Sequence, residues 1–273
     1  MTGRPPARRP PGAVRGPRSA PPDRRSLGGE QVEGRQAVRE LLAAGRRKVR
    51  DVWLAEGTDE ALILTQIRDL AVDARVPIRE VSKARIAAEA RTEAPQGVLA
   101  HAAPLAETEL ATLASPRGGR PQPFLIALDG VTDPHNLGAL LRSAESAGAT
   151  GVILPRHRAA HVTPTVAKAA AGAIEHLPMA LVSGLPAALA QLKEAGVWTV
   201  GLDAEAPEPL FGLRLATEPL CLVLGAEGSG LSRLVRQRCD VLVSIPQRGS
   251  LSSLNVAAAG AVACFEVARN RAD

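Results

Sequence analysis

The nine residues LVLGAEGSG at 222–230 decide the fold. A short apolar run stops at three glycines around a single acid, Glu227, and a helix-like stretch follows over 231–238. Buried strands of parallel sheets read as near-continuous apolar runs, and their ligands sit where loops leave the strand ends. The same layout recurs in LDGVTDPHNLGALLR at 128–142 and in VSIPQRGSLSSLNV at 243–256. Around these stretches the pattern predicts strands at 124–128, 151–154, 178–182, 197–202, 220–224 and 241–245. It predicts helices at 137–147, 164–174, 185–195, 231–238 and 253–268. Short apolar strands alternating with helices mean an α/β domain with a parallel sheet covered on both faces.

The glycine spacing excludes two nucleotide-binding classes. Gly225, Gly228 and Gly230 follow Gly-x-x-Gly-x-Gly and not the Gly-x-Gly-x-x-Gly of dinucleotide folds, and no Lys-Ser or Lys-Thr stands at P-loop spacing. Residue types alone leave the candidate positions open. Asn136 is placed to cap the helix after Asp133-Pro134-His135. Leu137, Leu140, Leu141, Ala144 and Ala147 form one face of that helix, with Arg142 nearly opposite. A cap and a solvated arginine would explain both residues. Glu227 could be an exposed loop acid, and Ser252 or Ser253 could be a plain N-cap.

Taken in order, the three stretches resemble the motifs of the SpoU/TrmH family of RNA ribose 2′-O-methyltransferases, within the SPOUT superfamily. The resemblance implies a deep trefoil knot at the C-terminal end of the sheet and S-adenosylmethionine as methyl donor, without a metal. By motif position it implies Asn136, Arg142, Glu227, Ser253 and Asn255 as catalytic residues. It implies Gly225, Ile245 and Leu254 as cofactor-binding positions, acting largely through backbone groups. The family's arginine serves catalysis and RNA engagement. A guanidinium stays protonated in proteins, so phosphate clamp and alkoxide stabiliser stand beside general base as roles for Arg142.

Upstream, helices are expected at 34–44 and from Thr58 to about residue 74, with a short helix capped by Ser82. Strands are expected at 49–55, 76–81 and 97–101. This small α/β unit, residues 31–103, resembles the ribosomal-protein-like substrate-binding domain that precedes many SpoU catalytic domains. The family's usual His-Gln-Gly is here Pro95-Gln96-Gly97. Residues 104–122 read as a linker, ending in SPRGGRPQ, and 123–273 as the methyltransferase domain.

Residues 1–30 read as a disordered Arg/Pro-rich tail. The first 29 residues hold seven Arg and seven Pro against one acid, a net charge of +6, while the remaining residues carry −1. Such a tail is either a solvated extension or a sequence-independent tether to RNA phosphates. It lacks the apolar h-region of a secretory signal, and no apolar run is long enough to span a bilayer. Cys221, Cys239 and Cys264 form no Cys-x-x-Cys pair and read as small buried hydrophobes of a cytoplasmic protein. No metal spacing occurs among the five histidines. Two Trp, three Phe and no Tyr argue against base-stacking platforms.

The expected activity is 2′-O-methylation of a ribose in structured RNA. TPTVAKAAAGAIEHLP from Thr163 and the SIPQRGSLSSLNVA block most resemble the subgroup acting on a guanosine of large-subunit (23S) rRNA. A tRNA guanosine enzyme, a thiopeptide-resistance rRNA adenosine enzyme and a non-catalytic RNA-binding protein of the same fold remain alternatives. The resemblance also implies a homodimer paired through helices beside the knot. The run Ala257–Ala261 allows close helix approach there, with Phe265 as the aromatic anchor.

Overall fold

The computed structural model describes residues 26–58, 61–115, 122–157, 161–250 and 253–272. The N-terminal unit comprises β1 (Gln31–Glu33), α1 (Arg35–Ala44), β2 (Val49–Ala55), α2 (Leu62–Asp73), β3 (Ile78–Val81), α3 (Lys83–Glu89) and β4 (Val98–Ala102). Its sheet has the order β1-β4-β2-β3, with β2 and β3 parallel and β4 antiparallel to both neighbours. Successive side chains of a strand face opposite ways. Accordingly Val52 and Leu54 of β2 join the core beneath α1 and α2, while Trp53 and Ala55 pack with Ile86 of α3. Strand β1 was not expected. Three residues between glycines are too short to show a period, and β1 exists because β4 offers it an edge.

Most of the expected tail, residues 1–25, lies outside the described residues. Its last part does not behave as a tail. Leu27 is buried, Val162 N–H donates to Leu27 O at 3.0 Å, and Leu105 N–H donates to Gly28 O at 2.9 Å. Residues 26–30 therefore belong to the folded body, and the boundary set at residue 30 moves toward the N-terminus. Much of the expected linker is also packed. Thr108 N–H donates to Met179 O at 2.8 Å, and α4 (Leu110–Ala114) buries Leu113 and Ala114; residues 116–121 lie outside the described residues.

The C-terminal unit continues with β5 (Phe124–Asp129), α5 (Pro134–Ser146), β6 (Gly151–Pro155), α6 (Pro164–Ala169), β7 (Met179–Val182), α7 (Leu185–Glu194) and β8 (Trp198–Leu202). It ends with β9 (Glu208–Pro209), β10 (Leu220–Gly225), α8 (Arg233–Arg238), β11 (Val241–Ser244) and α9 (Val256–Asn270). The sheet order is β7-β6-β5-β10-β8-β11-β9, and every pairing in it is parallel. Alternate residues of its strands divide the core. Ile126, Leu128, Leu222 and Leu224 face α5 and α9, while Leu125, Ala127, Cys221 and Val223 face α4, α7 and α8. The order of strands reverses between β5 and β10, and open α/β sheets bind ligands at such a point.

Several expected helices differ at their ends from those observed, two of them in ways that shape the site. The 164–174 helix breaks after Ala169, because Ala171 and Gly172 take positive φ values of 49° and 90°. The turn lets Ala173–Glu175, a 3-10 turn, pack against the N-terminal unit, with Glu175 paired to Arg47. Helix α5 starts at Pro134 because Asp133 caps it, accepting from His135 N–H and Asn136 N–H. Asn136 is therefore inside the helix and not its cap.

The end of α9 is fastened by Glu266, whose side chain is 5% exposed. Its carboxylate accepts from Arg269, Asn270 and the backbone N–H of Gly212. The Arg269 hydrogen bonds, with help from Gly212 and Asn270, outweigh burial and hold the carboxyl near a pKa of about 2, against an ordinary 4.5. A carboxylate whose pKa is lowered by folding stabilises the fold fully above its unfolded value. That contribution fades as pH falls from about 4.5 toward 2. Glu266→Gln should therefore lower stability at neutral pH, and the gap from wild type should close across that window. Chemical denaturation at stepped pH checks this; a gap independent of pH would show that the ion pair does not hold the helix.

Candidate active site

The three motif stretches meet at the C-terminal ends of β5, β10 and β11. β5 and β10 pair in register, so Asp129 lies opposite Gly225 at the point where both chains leave the sheet. Asp129 Oδ2 accepts from Ser232 N–H at 2.6 Å, which ties the first loop to the end of the second. The second loop is a tight turn closed by paired backbone hydrogen bonds between Ala226 and Gly230. A Cβ on Gly225 would lie 2.1 Å from the carbonyl carbon of Gly230, so only glycine fits there.

Asn136 from the first stretch, Glu227 from the second and Asn255 from the third form one hydrogen-bonded cluster. Asn136 Nδ2 donates to Glu227 Oε1 at 2.7 Å, and Asn255 Nδ2 donates both to the same oxygen at 2.7 Å and to Asn136 Oδ1 at 3.0 Å. Asn255 Oδ1 accepts from Ala257 N–H and Ala258 N–H, so this residue caps α9. The cap expected at Ser252 or Ser253 is thus at Asn255: Ser253 is exposed, and Ser252 lies outside the described residues. Glu227 is no solitary loop acid. Its Oε1 is engaged twice, and among the described residues no partner contacts Oε2.

Beside the cluster lies a cleft of about 530 Å³. It is lined by Gly225, Ile245 and Leu254, together with Glu227 and Ser253. Its walls are apolar where Leu224 and Val243 reach it, and acidic at Asp203 and Glu205. Asp203 pairs with Arg236 at 2.6 Å on the same wall. The sequence reading missed these last three residues, because Asp203 and Glu205 follow a predicted strand without any distinctive spacing. With Asp203 paired, Glu205 and Glu227 still leave the lining acidic, which suits a ligand with a cationic arm.

Arg142 is not part of the cluster. It lies on α5 six residues beyond Asn136, about 9 Å along the axis at 1.5 Å per residue. It is exposed and engages no hydrogen bond or ion pair among the described residues. The cysteines offer no nucleophile. Burial pushes Cys221 strongly upward and Cys239 and Cys264 to about 12, so the thiols stay protonated at neutral pH.

The SpoU rRNA methylase family model matches residues 123–265, more than half of the chain, and the RNA 2′-O ribose methyltransferase substrate-binding model matches 31–108. The chain belongs to the SpoU family. It is 40% identical over 250 residues to the 23S rRNA (guanosine-2′-O-)-methyltransferase RlmB of Pseudomonas putida, covering 89% of this chain and 97% of that one. RlmB of Escherichia coli is 38% identical over 242 residues, covering 89% and 99%. Among solved structures, the SpoU methyltransferase AviRb of Streptomyces viridochromogenes, in complex with AdoMet, superposes with a TM-score of 0.73. It is 26% identical, with 89% of this chain and 90% of that one covered.

The cluster makes a specific claim about this SpoU protein's stability. Asn255→Ala should cost about 1 kcal/mol through the lost cap. Asn255→Asp keeps a capping oxygen but sets a second carboxylate against Glu227, so its cost should vanish when combined with Glu227→Gln. A double-mutant cycle by thermal unfolding measures this coupling; additive effects would mean that the two side chains do not meet in solution.

Proposed function

We propose that this protein transfers a methyl group from S-adenosylmethionine to the 2′-oxygen of a guanosine ribose in large-subunit (23S) rRNA. The observation that carries the reading is the Asn136–Glu227–Asn255 cluster, built from three separate strand ends at the rim of one cleft. The RlmB relatives, matched over nearly their whole length, favour the rRNA guanosine over tRNA or adenosine targets.

The residues fit the methyl donor. Gly225 lines the cleft where its lack of a side chain lets the Gly230 turn close against it, Ile245 and Leu254 supply apolar walls, and the acids of the cleft complement a cation. When bound, the donor supplies an electrophilic methyl group on a sulfonium. The protein's part is to place the 2′-hydroxyl in line with that methyl and to manage the hydroxyl proton as the O–C bond forms and the C–S bond breaks. Glu227 Oε2, which accepts from no partner among the described residues, is the candidate acceptor at the rim, oriented by the two asparagines. The Arg142 guanidinium is a fixed cation, suited to clamp a phosphate or to stabilise the oxygen as it becomes anionic. Ser253 lines the cleft within reach of the same ligand.

The segment after β11 threads the C-terminal trefoil knot. Supporting this, β9 pairs on the outer side of β11, yet α9 returns to pack on α5 and β10 and fastens to Gly212 through Glu266. The protein works in the cytoplasm, where its RNA is; no helix of the described residues is long and apolar enough to cross a membrane.

Two experiments test the proposal. Wild-type protein should bind S-adenosylmethionine by calorimetry and transfer labelled methyl groups to 23S rRNA at a guanosine 2′-oxygen. Arg142→Ala should keep cofactor affinity while methyl transfer falls about a hundredfold or more. RNA binding without methyl incorporation would make this a non-catalytic member, and a mark found only on tRNA would move the substrate.

The second concerns assembly. Ala258, Val262 and Phe265 follow one another along the outer face of α9, and Phe265 is 52% exposed. A symmetric dimer burying this face would bring two active sites near the interface, since α9 begins at Asn255. Sedimentation should give a dimer for wild type and a monomer of 28.4 kDa for Phe265→Arg. A fully active wild-type monomer at micromolar concentration would refute the assembly.

A further inference from the structure

A second cleft, of about 780 Å³, lies away from the candidate active site. It opens in the N-terminal unit between the start of α1, the loop after β2, α3 and the Pro95-Gln96-Gly97 loop. Its floor is apolar, from Ile63, Ile86 and Ala87, and its rim carries Arg35 and Lys83 with the amides of Gln36 and Gln96. No acid lines it. The two cations Arg35 and Lys83 suit an anionic ligand, and an apolar floor with amides at the edge suits one that carries a heterocycle.

The loop on its rim is held under strain. Gln96 takes φ +57°, a left-handed conformation that costs a non-glycine residue roughly 1–2 kcal/mol. Two contacts with Arg35 hold it there: Arg35 N–H donates to Gln96 Oε1 at 3.1 Å, and Arg35 Nε donates to Gln96 O at 3.2 Å. Gly97 must be glycine, since φ is +72° and a Cβ would press on Ala55 and Thr58 at 3.3 Å. Strained positions of this kind persist only where the surroundings over-determine them, and they cluster at ligand sites.

The cleft is also fixed relative to the active site. Lys168 of α6 donates to Ala94 O at 2.5 Å, next to the strained loop, and α6 packs on α5, the helix that carries Asn136 and Arg142. A ligand held in the N-terminal cleft is thereby indexed to the reacting ribose.

We propose that this cleft seats one unstacked nucleotide of the RNA substrate, away from the nucleotide that is methylated. Its base rests on the Ile63 and Ile86 floor against the Gln36 and Gln96 amides, and its phosphate lies by Lys83 and Arg35. Apolar surfaces and side-chain amides reading a splayed-out base are a general mode of sequence-specific RNA recognition. This inference rests on the reading of the protein as an RNA methyltransferase and adds where substrate selection occurs.

The test uses the full chain and a transcript of 23S rRNA in filter binding across a salt series, with cofactor affinity measured by calorimetry. Lys83 and Ala87 are both exposed, so Lys83→Ala and Ala87→Trp should leave the fold intact. Ala87→Trp fills the cleft and should weaken RNA binding about tenfold with no change in the salt slope. Lys83→Ala should weaken binding and reduce the slope by about 1, the signature of one lost phosphate contact. Neither should change S-adenosylmethionine affinity. RNA binding by Ala87→Trp within about twofold of wild type would overturn the inference. Failure of the enzymatic reading is separate: wild type would bind RNA without methylating it, and the comparison of variants would still decide the cleft.

Discussion

The parallel pairing of β5 with β10 is the constraint from which the rest of the site follows. These strands are separated by about ninety residues of chain, yet they run side by side in register from Phe124 and Leu220 to Asp129 and Gly225. Their side chains alternate between two buried layers, so a slip of one residue would turn every apolar group to the wrong layer. Register therefore fixes where the first and second loops emerge. Once it is set, Asp129 can cap Ser232 N–H, Gly225 can admit the close turn at Gly230, and Asn136 can reach Glu227. The third loop joins through Asn255, which closes the cluster while capping α9.

A second constraint joins the two units. Arg47 and Glu175 form a bidentate pair with side chains only 6% and 1% exposed, and Arg47 Nη1 also donates to Gly29 O and Ala103 O. A buried pair of this kind contributes little net stability, because desolvation offsets the attraction. Its geometric demand is the useful part, since an ion left unpaired there would cost several kcal/mol. Gly172 reinforces the joint. Its φ of +90° brings the backbone so close to α1 that an added Cβ would lie 2.4 Å from Glu40 Cβ. The N-terminal cleft and the Asn136–Glu227–Asn255 cluster thus belong to units that are tightly joined.

Much of this was legible in the sequence, and the reasons for what was not are physical. All six predicted strands of the large sheet exist, because buried apolar runs bounded by glycine and proline leave little choice. β2 also spans its expected residues. The motif positions Asn136, Glu227 and Asn255 were legible only through the family resemblance, since each has an ordinary local explanation as cap or loop acid. Their meeting depends on contacts across 91 and 119 residues of chain. Caps were misplaced by a few residues because Asp133, Asn136, Ser253 and Asn255 are all competent cap types, and tertiary partners decide among them. Short β1 and β9, and the break in α6, come from edges and close approaches that no local pattern encodes.

The placement of α5 shows how the fold makes the site rigid without strong chemistry inside it. The helix is held between two neighbours by two glycines. A Cβ on its own Gly138 would lie 2.4 Å from Ala169 Cβ and 2.9 Å from Val166 O, so α6 approaches almost to backbone contact. On the other side Gly260 of α9 accepts Leu140, whose Cδ2 would be 2.1 Å from an added Cβ. Interiors packed this closely do not deform continuously. The N-terminal turn of α5 is therefore held in place, and with it Asn136 at the cluster, while Arg142 projects free one and two-thirds turns further on. One helix thus carries a side chain locked among partners and, further along, an exposed cation. The same α6 that fixes it reaches the strained Gln96 loop through Lys168. Close packing of α5 on α6, with the Lys168 hydrogen bond beyond it, links the N-terminal cleft to the C-terminal ends of the strands.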